Sequence, residues 1–309
     1  MPVTPPDLSI IIVSWNVRDR LRACLASLPL DAAWVETIVV DAASADGTPA
    51  MVRAEFPTVQ LIASAVNLGY SRGNNLGLAR ARGRYALILN PDTELDGQAL
   101  ASMTSYLNAN PTVGVLGPLL LLPDQSIQAS RRRFPTLVTA IFESTWLQWL
   151  APRRVLARYY VADQPAGQIA EVDWLVGAAL MVRREVWQQV GVLDENYFMY
   201  SEELDWQRRI KAAGWKIVYF PQAQVRHFEA QSSAQVPAAT HIRFNTSKVR
   251  YFRKYHGALA GEFLRWYLLG HFAVQLGLEW FKGALGHQRE LRRERVATYR
   301  AVLRSRLRG

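Results

Sequence analysis

Along the first hundred residues, short apolar runs alternate with stretches of helical periodicity, and each run stops at a polar residue. Tyr85 to Leu89 is an unbroken apolar run of strand length, the pattern of a strand covered on both faces. Asn90, Pro91 and Asp92 follow at once. Pro91 has no N–H to give a ladder, so the backbone leaves the sheet where a carboxylate stands. Leu8 to Ser14 predicts a second buried strand ending at the polar pair Ser14 and Asn16, and Thr37 to Val40 a third ending on Asp41. Between them Val17, Leu21, Cys24, Leu25 and Leu28 recur at helical spacing before Pro29. A further helix, capped by Ser44 or Asp46, runs toward Phe56, and Val59 to Ala63 predicts an edge strand. In open α/β sheets ligands collect outside the carboxyl ends of the strands. Asp92 at such an end can hold a divalent metal and, through it, phosphates; the plainer alternative is a turn leading into the helix that begins near Asp96.

Asn67 to Gly77 holds three glycines and three asparagines in eleven residues, which suits either a loop passing close to a ligand or a glycine-tolerant helix start. Asp96 opens a helix ended by Asn110-Pro111, and a short strand follows near Val113 to Leu116. Residues 118 to 170 show little period. They hold Arg131, Arg132 and Arg133 and an apolar stretch, Leu137 to Leu150, readable as a lid, an acceptor-binding insertion, a membrane-facing element, or a solvated basic loop beside a core helix. Val172 to Val182 predicts a strand pair around Gly177, and a helix through Trp187 ends by Gly191. Ser201 caps a helix to Ala213 whose Trp206, Ile210 and Ala213 face the core. Glu202, Glu203 and Asp205 crowd its first turn, where the helix dipole favours them and Asp205 can pair with Arg209. Crowded carboxylates near a cleft can also take the raised pKa of a general base. Lys216 to Phe220 predicts a last strand closed by Pro221, and His227 beyond it can return to the crevice at Asp92.

Composition narrows the partners. The chain has 309 residues, half of them apolar, enough for a sizeable core with or without an appendage. A formal charge of +10 favours an anionic partner: nucleic acid, a phospholipid surface or a phosphorylated substrate. The arginines gather at 131–133 and in the last twenty residues, outside the readable α/β core, and no nucleic-acid recognition motif appears. The first residues lack the pattern of a signal peptide, so a cytoplasmic location is expected. The single cysteine, Cys24, lies on an apolar helix face and is expected to be a buried thiol.

With Val13-Ser14-Trp15-Asn16, Asp41 to Thr48, Asn67 to Asn75, Asn90-Pro91-Asp92, Gly177-Ala-Ala, Phe198 to Asp205, and His227 with Gln231-Ser232-Ser233 in this order, residues 8 to about 257 resemble the inverting nucleotide-sugar transferases of glycosyltransferase family 2, especially the rhamnosyltransferase-like branch. The resemblance implies a GT-A fold, a Rossmann-like α/β sandwich with one mixed central sheet. It implies that Ser14, Asn16 and Asp41 hold the base and ribose, with Asn67, Gly69, Arg72 and Asn75 beside the nucleotide. Asn90 and Asp92 stand at the metal motif, Asp92 binding Mg2+ or Mn2+ with His227 as a second ligand. The family's catalytic Glu-Asp pair reads Glu202-Glu203 here, which makes Glu203 the positional base and leaves Asp205 as its rival.

The expected reaction is transfer of a sugar, with inversion, from a nucleoside-diphosphate donor to a hydroxyl of a glycan or lipid-linked acceptor. A metal-dependent nucleotidyltransferase would share the frame but needs a glycine- and lysine-rich triphosphate loop, which residues 14 to 20 lack. The catalytic domain is expected at residues 1–257 and a basic helical appendage at 258–309. In the appendage, Phe263 to Leu285 is apolar but interrupted by His271, Gln275 and Glu279, which argues against a membrane span. It suits a helix lying on an anionic membrane surface, or a helix pair packed on the catalytic domain or on the second subunit of a homodimer.

Overall fold

The computed structural model describes residues 5–143, 145–229 and 235–308; the expected Gln231-Ser232-Ser233 motif lies outside them. In chain order the elements to the first acidic strand end are β1 (Leu8–Ser14), α1 (Arg18–Ala26), β2 (Val35–Asp41), α2 (Thr48–Glu55), β3 (Gln60–Ala63), α3 (Gly69–Arg80) and β4 (Tyr85–Leu89). Then come β5 (Thr93–Glu94), α4 (Gly97–Ala109), β6 (Val113–Leu121), β7 (Ile127–Gln128), β8 (Arg131–Arg132), α5 (Leu137–Phe142), a 3-10 turn at Trp146–Leu150 and α6 (Arg153–Tyr159). The remaining elements are β9 (Ala170–Glu171), β10 (Trp174–Leu175), β11 (Ala179–Arg183), α7 (Arg184–Val190), α8 (Glu202–Ala212), β12 (Lys216–His227), α9 (Pro237–His256), α10 (Ala258–Ala284) and α11 (Arg289–Ser305).

The main sheet runs β3-β2-β1-β4-β11-β6-β12-β5 and is mixed. β1 pairs in parallel with β2 and β4, while β11 is antiparallel to both β4 and β6. The strands read as buried apolar runs because both sheet faces are covered: Ile10, Ile12, Leu87 and Leu89 pack on one side, Ile11, Ile38, Ala86 and Ile88 on the other. Asp96 caps α4 by accepting from the Ala99 N–H at 2.7 Å, as the sequence predicts.

Three expectations fail here. The last strand does not close at Pro221: β12 continues to His227, with a register shift against β6 between Phe220 and Gln224 that accommodates the proline as a bulge. Arg131–Arg133 is no solvated loop, since β8 pairs with β10 and the arginines are half-buried. Arg132 lies over the Tyr160 ring at 4.4 Å, and Arg131 donates to the carbonyls of Gln164 and Pro165. Ala213 is exposed, because α8 ends one residue before it.

The described residues form two compact units, one within 1–134, 160–198 and 202–232, the other within 135–159, 199–201 and 233–309. The division therefore does not fall at residue 257. α9 belongs with α10 and α11, and 135–159 joins them, because Lys248 of α9 pairs with Glu143 at 2.9 Å and Tyr267 of α10 donates to the Ile141 carbonyl. Two ion pairs brace the helical unit: the buried Arg292 with Glu279 at 2.5 Å, and the buried Arg265 with the half-exposed Glu262 at 2.7 Å.

Candidate active site

The first unit brings its polar strand ends together. The register of β1 and β2 sets Ser14 beside Asp41. Both are buried, and Ser14 Oγ and Asp41 Oδ1 have no hydrogen-bond partner, whereas Asp41 Oδ2 accepts from the Ser44 N–H at 3.0 Å. Unpaired polar atoms in a core are costly and call for an explanation, which a ligand hydroxyl or amide would supply. Asn16 takes a left-handed φ of 52° and locks this edge. Its N–H donates to Ser44 Oγ, and its Oδ1 accepts from the Ala45 N–H at 2.7 Å.

The glycine-rich stretch packs α3 closely on its neighbours. A Cβ on Gly73 would meet Val13 at 2.7 Å and one on Gly77 would meet Ile11 at 2.3 Å, so these glycines let α3 lie against β1. Gly69, at φ 72°, sits under the Phe198 carbonyl, where a Cβ would come to 2.4 Å. Asn67 Oδ1 accepts from the Gly69 N–H at 3.0 Å, and Arg72 pairs with Glu195 at 3.3 Å. Asn75 exchanges hydrogen bonds with both backbone groups of Leu193. Gly69, Arg72 and Asn75 thus touch the 193–198 segment, and Asn67 braces Gly69.

At the end of β4, Asp92 is buried and faces His227 at the end of β12, with Oδ1 and Nε2 3.3 Å apart. The Asn90 amide lies 3.4 Å from the same Nε2, and the Asn90 N–H donates to the Ala178 carbonyl. His227 Nδ1 is 2.9 Å from Gln128 Oε1, an acceptor, so an N–H at Nδ1 donates there and the Nε2 edge of the ring faces Asp92. Among the described residues no cluster of three or more His, Cys, Asp and Glu converges as a metal site. Asp92 and His227 supply two ligands, a set that fits a cation whose remaining positions are filled by phosphate oxygens and water. Cys24, beneath Asn90, is a buried thiol whose pKa burial pushes up to about 12.

Glu202 and Glu203 open α8 in buried surroundings, and each has one carboxylate oxygen without a partner. Burial, reinforced by the charge of Glu203, holds the Glu202 carboxyl well above its ordinary range. Burial also raises Glu203, against which the N–H groups of Leu204 and Gly177 and the charge of Arg132 favour the ionised form. Tyr70 donates to the Gly177 carbonyl at 2.8 Å. Its phenol is pushed up by burial, and then by the charges of Glu202, Glu203 and Asp92. Asp205 leaves the candidate set: it is fully buried, and its carboxylate accepts from Arg209 Nε at 3.0 Å, because it lies about 200° round the helix from Glu203. Periodicity offered no signal for Tyr70, Gln128 or Arg132, whose roles arise from contacts over 99 and 107 residues of chain for Gln128 and Tyr70.

Solved structures share this chain path. GalNAc-T7 with UDP, GalNAc and Mn2+ matches with a TM-score of 0.59 at 14% identity over 81% of this chain and 48% of its own. The mannosyltransferase PcManGT from Pyrobaculum calidifontis, in complex with GDP-Man and Mn2+, matches with a TM-score of 0.54 at 17% identity over 98% of this chain and 86% of its own. The fold is that of the GT-A glycosyltransferases. The profile described as Glycosyltransferase like family 2 matches residues 5–243, and the chain belongs to that family. The N-acetylglucosaminyl-diphospho-decaprenol L-rhamnosyltransferase of Mycobacterium tuberculosis is 30% identical over 87% of this chain and 91% of its own. The rhamnosyltransferase WbbL of Escherichia coli is 24% identical over 71% and 82%.

Proposed function

We propose that this chain transfers a sugar, a hexosyl or rhamnosyl unit, from a nucleoside-diphosphate donor to a hydroxyl of a lipid-linked or glycan acceptor in polysaccharide synthesis, with inversion at the anomeric carbon. The observation that carries the reading is the junction at Gly177 and Ala178: Glu203 and the Tyr70 hydroxyl lie beside Gly177, and the Asn90 N–H, two residues before Asp92, donates to the Ala178 carbonyl. The rhamnosyltransferase relatives supply the sugar class, and the M. tuberculosis relative, by its name, uses a lipid-linked acceptor.

Ser14, Asn16 and Asp41 receive the nucleoside, whose hydroxyls give Asp41 Oδ1 the partner it lacks. Asp92 and His227, with Asn90 alongside, would hold Mg2+ or Mn2+, and a cation there would supply positive charge to offset that on the diphosphate. Glu203 takes the proton of the attacking acceptor hydroxyl, since Arg132 and the Gly177 N–H favour its carboxylate form. Burial and the neighbouring Glu203 charge favour the protonated form of Glu202, which limits the buried negative charge at the site. The helical unit is assigned to an anionic membrane surface, where a lipid-linked acceptor resides. A nucleotidyltransferase is not favoured.

A transfer assay on Glu203→Gln tests the assignment. The rate is expected to fall at least about a hundredfold with the protein still folded, and a smaller loss removes Glu203 as the base.

A further inference from the structure

The helical unit carries a surface that glycosyl transfer leaves unexplained. On α10, Leu259, Phe263, Trp266, Val274 and Phe281 are all exposed, and at about 100° per residue they share a sector about 80° wide. The positions between them in that sector hold only glycine and alanine. From Leu259 to Phe281 the stripe runs about 33 Å without a charge. Patches of this extent mark interaction surfaces. Among the described residues no helix is long and apolar enough to cross a membrane, so the stripe is suited to lying along one.

Beside its far end, where α10 turns back into α11, lies a cleft of about 560 Å³ lined by Trp280, Glu279, Arg289, Arg292, Arg293 and Arg300, among others. Glu279, its one carboxylate, is already neutralised by Arg292 at 2.5 Å and Arg295 at 3.6 Å. Arg289, Arg293 and Arg300 are exposed and enter no ion pair among the described residues. They share one face of α11, with Arg289 and Arg293 at the four-residue spacing where like charges repel. Arg292 lines the same cleft and is nine-tenths buried, and its Nε has no hydrogen-bond partner. The cleft is therefore a pocket of unbalanced positive charge roofed by an indole.

We propose that this cleft binds the phosphate headgroup of an anionic phospholipid in a bilayer, with the α10 stripe entering the apolar boundary beside it. Guanidinium groups suit a phosphodiester, and tryptophan suits the headgroup level. Charge and apolar face lie on one helix hairpin, which favours a lipid surface over a soluble phosphate. The inference deepens the membrane-borne acceptor reading and rests on it for its purpose, but its test needs neither donor nor acceptor.

The test is flotation of the full chain with vesicles of phosphatidylcholine alone and of phosphatidylcholine with phosphatidylglycerol. Binding is expected only with phosphatidylglycerol. The combined Arg289→Gln, Arg293→Gln and Arg300→Gln variant should bind about a hundredfold more weakly. A control with the same charge change at the exposed Arg53, Arg80 and Arg154 should bind nearly as wild type. In the unmodified protein, phosphatidylglycerol with brominated acyl chains should quench the fluorescence of the exposed Trp266 and Trp280. Equal losses in the two variants, equal binding to both vesicles, or floated protein without quenching would overturn the proposal. So would thermal stabilisation by inorganic phosphate without flotation, or a dimer that covers Trp266 and does not float. Donor turnover measured in parallel keeps failure here separate from failure of the transferase reading.

Discussion

At Glu202 the folded chain keeps a carboxyl where water cannot reach it and a second carboxyl adjoins it. Its pKa in the folded state lies above that of the unfolded chain, so the native state holds the extra proton between the two values. Stability from this group is full below the ordinary carboxylate pKa and is lost as pH rises through the folded one. The melting temperature of the wild type is thus expected to fall as pH rises above the ordinary carboxylate range, and Glu202→Gln to flatten that slope. Identical slopes for both proteins would show that Glu202 is not the group responsible. At His227, Gln128 sets which nitrogen faces Asp92. Gln128→Leu is expected to weaken Mn2+ binding about tenfold in titration calorimetry with nucleoside diphosphate present, with no change in the fold by circular dichroism. Unchanged affinity would mean that the imidazole is oriented by something else.

Among the elements, α3 shows how a sequence pattern can be visible while its packing partner is not. Its glycine spacing is visible in the chain, but whether a glycine admits a ligand or a neighbouring strand depends on what lies opposite. Opposite Gly77 lies Ile11. Gly77→Ala is accordingly expected to cost about 1–3 kcal/mol in urea unfolding despite the better helix propensity of alanine, since Ile11 on a central strand has little room to move. A gain in stability would show that β1 yields. The fate of β12 makes the same point: Pro221 reads as a terminator, yet a bulge carries the strand past it and delivers His227 to Asp92. Bulges depend on the partner strand, which local sequence does not specify.

For the whole molecule, buried Ser14 and Asp41 in the first unit each present an oxygen without a protein partner. A nucleoside diphosphate with Mn2+, at about a hundred times its dissociation constant, should stabilise the protein by about 2.7 kcal/mol, read as a rise in melting temperature. Asp41→Ala should abolish most of that rise, and an undiminished rise would move the nucleotide elsewhere. The α/β frame, the acidic strand ends and the acidic start of α8 follow from the chain itself, since buried strands need continuous apolar runs and helices need their period and caps, both local properties. Which carboxylate faces the site, what the arginines at 131–133 touch and where the compact units divide were decided only in three dimensions. Asp205 and Glu203 are two residues apart with the same chemistry, and only the packing of Arg209 against one and of Gly177 and Arg132 near the other tells them apart. Burial and counter-charge come from residues distant along the chain, and no reading of neighbours in sequence contains them.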